Sequence, residues 1–115
     1  MNAQNKLSDW AEQRVRKRKR LHVPAMLLGL DARCRSVDII DVSVDGLCMR
    51  SALPLQTRNT CAIAFDSPIE LATKRINVWA KVAYCLKLDD GNYRIGVRFL
   101  DYDSYSKMHI DLICK

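Results

Sequence analysis

The 115-residue chain is short of most of the features that announce a catalyst. It has two histidines, His22 and His109, and no Asp or Glu sits where a sequence neighbour would make either one a base or a metal ligand. Its four glycines stand in four separate places, so no glycine-rich loop exists to cradle phosphates. The longest apolar run, Val23 to Leu30, is eight residues, well below the ~20 that a membrane helix needs. The N-terminus is polar and lacks an apolar signal core, so nothing directs secretion. Aromatic residues are only 7% of the chain, too few for an evident base-stacking platform. The five cysteines (Cys34, Cys48, Cys61, Cys85 and Cys114) are odd in number and widely spaced. That argues against a disulfide framework or a zinc site and for reduced thiols in a cytoplasmic protein.

The rest is ordinary for one globular domain: 49% hydrophobic, 28% charged, and long enough for a single core. The formal charge of +6 is unevenly placed. Arg14-Val15-Arg16-Lys17-Arg18-Lys19-Arg20 holds six of the 19 basic residues, and the remaining 13 balance 13 acidic ones. A neutral domain thus carries one concentrated cationic segment.

Residues 7 to 14 carry the pattern of a short helix capped by Ser8. Beyond Pro24 the period is two. Val37, Ile39, Asp41 and Ser43 fall on one predicted face, Leu47 and Met49 continue, and Cys61, Ile63 and Phe65 alternate with alanines. Ile76, Val78, Ala80, Val82, Tyr84 and Leu86 share a further face. Asp89-Asp90-Gly91-Asn92 is a hairpin turn, after which Tyr93, Ile95, Val97 and Phe99 alternate with Arg94, Gly96 and Arg98. At the C-terminus, Asp103 or Ser104 can cap a helix whose stripe of Tyr105, Met108, His109 and Leu112 would lie on the sheet or close a barrel mouth. About six short strands and a closing helix predict a mostly β protein, an antiparallel barrel or sandwich. The expected organisation is an extension at 1–13, the basic segment at 14–20, the barrel at 21–101 and the helix at 102–115.

Two features point to binding. One is the basic run. The other is Asp41-Val42-Ser43-Val44-Asp45-Gly46, where a carboxylate and a hydroxyl at i and i+2 share a face ahead of a glycine. Gly46 permits a positive φ or the close approach of a ligand. A carboxylate there can accept from an N–H/NH2 edge such as that of guanine, and arginine forks suit phosphate oxygens and the O6/N7 edge.

These residues resemble PilZ domains. Arg16-Lys17-Arg18-Lys19-Arg20 fits their Arg-x-x-x-Arg motif, and Asp41 to Gly46 fits their Asp/Asn-x-Ser-x-x-Gly motif at a similar distance. Tyr93-Arg94-Ile95-Gly96-Val97-Arg98-Phe99 resembles the late strand of that family. The resemblance implies a bacterial receptor for cyclic di-GMP on a six-stranded antiparallel β-barrel. It implies that Arg16 and Arg20 grip phosphate and guanine, that Asp41 and Ser43 bind the guanine edge, and that Gly46 shapes the turn. Arg14 to Arg18 is a second, overlapping Arg-x-x-x-Arg. The Arg16/Arg20 register is preferred because the family motif runs directly into the first strand, leaving Arg14, Lys17 and Arg18 as auxiliary contacts. Val15 stands where many members carry an arginine that holds a second ligand molecule, so one or two ligands per chain are both open. Tyr84 sits where several members pack an aromatic on guanine, and an alternating strand equally accommodates it as a core tyrosine. Six cations in seven residues repel one another, so a dianion is expected to order the segment and present a new surface to a downstream protein. The family's outputs include motility, pili, exopolysaccharide and biofilm control. The alternatives are a nucleic-acid binder with a basic arm, a PilZ-like interaction module without ligand, and membrane attachment through the basic run.

Overall fold

The computed structural model describes residues 18–69 and 75–115. The expected helix at 7–14 and the residues Arg14, Val15, Arg16 and Lys17 lie outside the described residues. Six strands follow in order: β1 (Lys19–Leu28), β2 (Cys34–Val42), β3 (Gly46–Ser51), β4 (Thr60–Asp66), β5 (Arg75–Lys87) and β6 (Tyr93–Tyr102). One helix, α1 (Ser104–Ile113), ends the chain. Every pairing is antiparallel, and β1 meets β4 to close a barrel in the order β1-β2-β3-β6-β5-β4.

Period-two alternation puts branched aliphatics inside. Leu27, Ile39, Met49, Ile63, Phe65, Ile76 and Ile95 are essentially inaccessible and fill the barrel. The hairpin between β5 and β6 turns on Gly91 at φ +88°, while the Asp90 carboxylate accepts the Asn92 N–H at 2.9 Å. All five cysteines are free: Cys48, Cys61 and Cys114 are buried, Cys85 is half-buried and Cys34 is exposed. Burial pushes the Cys61 thiol up to about 11.

The alternation breaks in two places that matter for function. On β2 the register shifts between Ile39 and Asp41, so Ile40 is an extra residue against β3. On β5 it shifts between Val82 and Tyr84, making Ala83 the extra residue against β6. Each bulge inverts the faces beyond it. Val37 and Ile39 stay in the core, but Asp41 and Ser43 leave the face the sequence pattern assigned them. Val82 stays in, Tyr84 turns out, and Leu86 is 56% exposed.

The helix corrects a second expectation. Asp103 is the N-cap, its carboxylate accepting the Ser106 N–H at 2.6 Å. The buried face is Ser106, His109, Ile110 and Ile113, whereas Tyr105, Met108 and Leu112 are exposed. The helix is rotated from the expected stripe because two isoleucines three residues apart join the barrel core. The Ser106 hydroxyl also accepts the β5 Asn77 N–H at 3.0 Å, which fixes that rotation.

Candidate ligand-binding site

Register pairs four residues from four strands into one row on the outward face. Asp41 of β2 pairs with Cys48 of β3, Cys48 with Gly96 of β6, and Gly96 with Tyr84 of β5. The faces follow from their neighbours: Leu47 and Met49, and Ile95 and Val97, are core residues on either side of Cys48 and Gly96. The two bulges bring Asp41 and Tyr84 onto this face from opposite ends of the row.

Gly96 makes the row possible. A Cβ on it would lie 2.1 Å from Cε2 of Tyr84, so the tyrosine ring rests directly on the glycine backbone. From there its hydroxyl reaches the Cys48 sulfur at 3.5 Å, which explains why an outward-facing cysteine is buried. Burial and the Cys48 contact raise the Tyr84 pKa, while the neighbouring Arg94 guanidinium opposes them.

Around the row lies a concave cavity of about 660 Å³, lined among others by Arg18, Asp41, Ser43, Gly46, Tyr84 and Arg98. The Ser43–Gly46 loop forms one wall and is tied to β6 by one backbone and one side-chain hydrogen bond. The Asp45 carbonyl accepts the Phe99 N–H at 2.7 Å, and the Tyr102 hydroxyl donates to the Val44 carbonyl at 3.4 Å. The Ser43 hydroxyl is engaged within the loop, donating to the Gly46 carbonyl at 3.3 Å and accepting the Asp45 N–H at 3.4 Å. Gly46 does not take a positive φ. It is glycine because a Cβ would stand 2.1 Å from the Val97 carbonyl oxygen, so the close approach is by the chain's own β6 backbone.

The Asp41 side chain is 13% exposed and sits between two guanidiniums. Arg18 Nη1 is 3.7 Å from its Oδ1, and Arg94 Nη2 is 3.7 Å from its Oδ2. Arg20 pairs with Asp41 across β1 and β2 by register but is exposed and does not line the cavity. Among the described basic residues, the cavity is therefore lined by Arg18 and Arg98, and Arg94 reaches it only through Asp41. Neither His22 nor His109 lines it. Asp41, Ser43 and Gly46 line the cavity together with Arg18 and Tyr84, which the sequence offered only as auxiliary contacts, whereas Arg20 of the preferred register does not line it. Arg94 and Arg98 were missed, although their i−2 and i+2 spacing from Gly96 on an alternating strand put them on the same face.

The family model described as PilZ domain matches residues 12–115. The chain belongs to the PilZ domain family. No curated protein matches it by sequence. Solved structures share the fold at low identity. The Bacillus subtilis inhibitor of motility MotI/DgrA is 13% identical with a TM-score of 0.77, over 87% of this chain and 48% of that one. The PilZ domain of Escherichia coli YcgR with c-di-GMP is 15% identical with a TM-score of 0.68, over 89% of this chain and 88% of that one. K. pneumonia MrkH in its c-di-GMP complex is 17% identical with a TM-score of 0.62, over 84% of this chain and 47% of that one. The chain thus spans about half the length of MotI/DgrA and MrkH. The six-stranded antiparallel barrel with a C-terminal helix is the PilZ architecture expected from the sequence resemblance.

Proposed function

We propose that this PilZ domain is a receptor for cyclic di-GMP, a binding module rather than a catalyst. The observation that carries the reading is the cavity itself. In a PilZ fold, the Asp-x-Ser-x-x-Gly loop, an arginine of the basic run and an aromatic ring converge on one concave site. Asp41 accepts from the guanine N1/N2 edge, Ser43 and Gly46 hold the loop that presents it, and Tyr84 offers a ring face to the base. The described lining holds two arginines, Arg18 and Arg98, and two aspartates, Asp41 and Asp45, so its formal charges balance. The surplus positive charge for a dianion therefore comes from the rest of the 14–20 segment, with Arg16 and Arg20 on phosphate and guanine. The ligand draws this segment across the barrel, and the new surface signals to a downstream protein. A specific observation favours a second register, Arg14/Arg18: Arg18 lines the cavity and lies 3.7 Å from Asp41.

Calorimetry with cyclic di-GMP on wild type, Asp41→Ala, Arg18→Ala and Arg20→Ala tests site and register together and gives the stoichiometry. Binding that survives Asp41→Ala and both arginine substitutions overturns the assignment. The ordering step is read by proteolysis at residues 14–20, where cleavage unchanged at saturating ligand refutes it. Salt separates this reading from nucleic-acid binding, whose affinity falls with a slope of about −0.9 per neutralised phosphate.

A further inference from the structure

We infer that Arg94, which lies outside both motifs and outside the cavity lining, is the positioning residue that holds the base-reading edge of the site in register. The inference rests on the receptor reading above and deepens it.

Asp41 stands on β2 and Tyr84 on β5, separated in the barrel by β3 and β6. Arg94, on β6 between them, meets both. Its Nη2 is 3.7 Å from Asp41 Oδ2, and its guanidinium neighbours the Tyr84 phenol, whose ionisation it favours. Cys48 also stands between them, but only Arg94 brings a charge to both. The fork of donors on a planar guanidinium can serve two acceptors at once, which an ammonium on a flexible stem cannot do at fixed geometry.

The two partners of Asp41 are not equivalent. The Arg18 side chain is 59% exposed and belongs to the basic run, whereas that of Arg94 is 40% exposed and stands near the start of β6, where the backbone is paired on both sides, with Arg50 of β3 and Leu86 of β5. An incoming N–H/NH2 edge therefore takes the place of Arg18 at Oδ1, while Arg94 keeps its hold near Oδ2. The displaced Arg18 is left facing the ligand's phosphates, where its charge is needed. The exchange conserves the carboxylate's pairing: one exposed charged partner leaves as two neutral donors arrive. Arg94 also fixes the Tyr84 hydroxyl, so the ring keeps its plane above Gly96 as a wall for a purine. Without Arg94 the carboxylate plane and the ring plane are set independently.

The test uses calorimetry of wild type, Arg94→Lys and Arg94→Gln with cyclic di-GMP and with its inosine analogue, which lacks the guanine 2-amino groups. Loss of Arg94 should weaken cyclic di-GMP about tenfold, the scale of one charge-assisted hydrogen bond. It should also shrink the wild-type preference for guanine over hypoxanthine, with Arg94→Lys falling between the other two. A merely structural role would weaken both ligands equally, and melting curves of the variants report any loss of fold. A preference unchanged in Arg94→Gln overturns the inference. If wild type binds neither ligand, the receptor reading fails, and the clamp is decided on free protein. The Tyr84 phenol is then titrated by ultraviolet absorbance, with Tyr84→Phe as the blank. Removing Arg94 should move its ionisation to higher pH, and no movement overturns the clamp.

Discussion

Placing an alanine at position 96 is the most direct probe of how the site is built. Its Cβ would meet Cε2, Cζ and Cδ2 of Tyr84 at 2.1, 2.5 and 2.8 Å. All three atoms belong to one side chain that can rotate away, so the backbone need not move. The cost is then the burial of the ring. Returning ~100 Å² of apolar surface to water costs about 2.5 kcal/mol at ~25 cal/mol per Å². Alanine in a strand offsets roughly 0.5–1 kcal/mol of that through its lower unfolded-state entropy. Gly96→Ala should thus destabilise the domain by about 1.5–2 kcal/mol, uncover Cys48 to thiol reagents, and weaken ligand binding. In a Tyr84→Ala background the clash has no partner, and the same substitution should be neutral or stabilising by ~0.5–1 kcal/mol. Gly46→Ala is the control. There the Cβ meets the Val97 carbonyl oxygen at 2.1 Å and the Arg98 Cα at 3.2 Å, both backbone. Overpacking against backbone should cost about 3 kcal/mol, and Tyr84→Ala should not rescue it. Urea unfolding of the six proteins gives the cycle. Equal costs for Gly96→Ala in both backgrounds would refute the ring-on-glycine account.

Other perturbations bear on the frame that holds the site. Asp103→Ala removes the cap of α1 and should lower the unfolding free energy by about 1 kcal/mol. Among the described residues neither ring nitrogen of the buried His109 finds a hydrogen-bond partner. His109→Leu should therefore stabilise the domain by up to ~1 kcal/mol, and a clear drop in melting temperature would contradict this. Titration with an aromatic disulfide should modify exposed Cys34 first, and Cys61, held up to about 11 by burial, only on unfolding. The same shift has a pH signature. The folded thiol stays neutral where the unfolded one ionises, so its contribution is complete below about 8.5 and is lost as pH rises to about 11. Alkaline unfolding should therefore be less steep in Cys61→Ala than in wild type, the remaining slope including Tyr84 and Cys114, which burial also raises.

Much of the fold was legible because period-two alternation and turn chemistry are written residue by residue. Ile76 through Val82 and Ile95 through Val97 point inward as their spacing requires. The site was half legible. Asp41, Ser43 and Gly46 could be grouped as a motif, yet extrapolating the alternation put Asp41 in line with Ile39 and Tyr84 in line with Val82. A bulge of one residue, Ile40 or Ala83, leaves no mark in composition, since both are apolar residues at home in a strand. The helix misled for a related reason. Tyr105, Met108 and Leu112 form a proper helical stripe, and only the Ser106–Asn77 bond and the pull of Ile110 and Ile113 decide that the adjacent stripe is buried. Gly46 was noticed as a glycine, but its reason, a carbonyl on a strand fifty residues later, is a long-range fact. Arg94 could be placed on a face, and only the closing of β2, β3, β6 and β5 into one wall shows what it touches.

The closure of the barrel has a consequence for how any signal leaves it. β1 and β4 hydrogen-bond to each other through Ala25–Leu28 and Ala62–Phe65, so among the described residues no strand borders the sheet along its whole length. A partner that adds a strand, one way β proteins capture extended peptides, finds no full-length edge to pair with among the described residues. Most of what the barrel offers to another molecule is therefore side chains on its outer wall. A surface of that kind is a matter of side-chain identity, open to change one residue at a time without disturbing the backbone ladder.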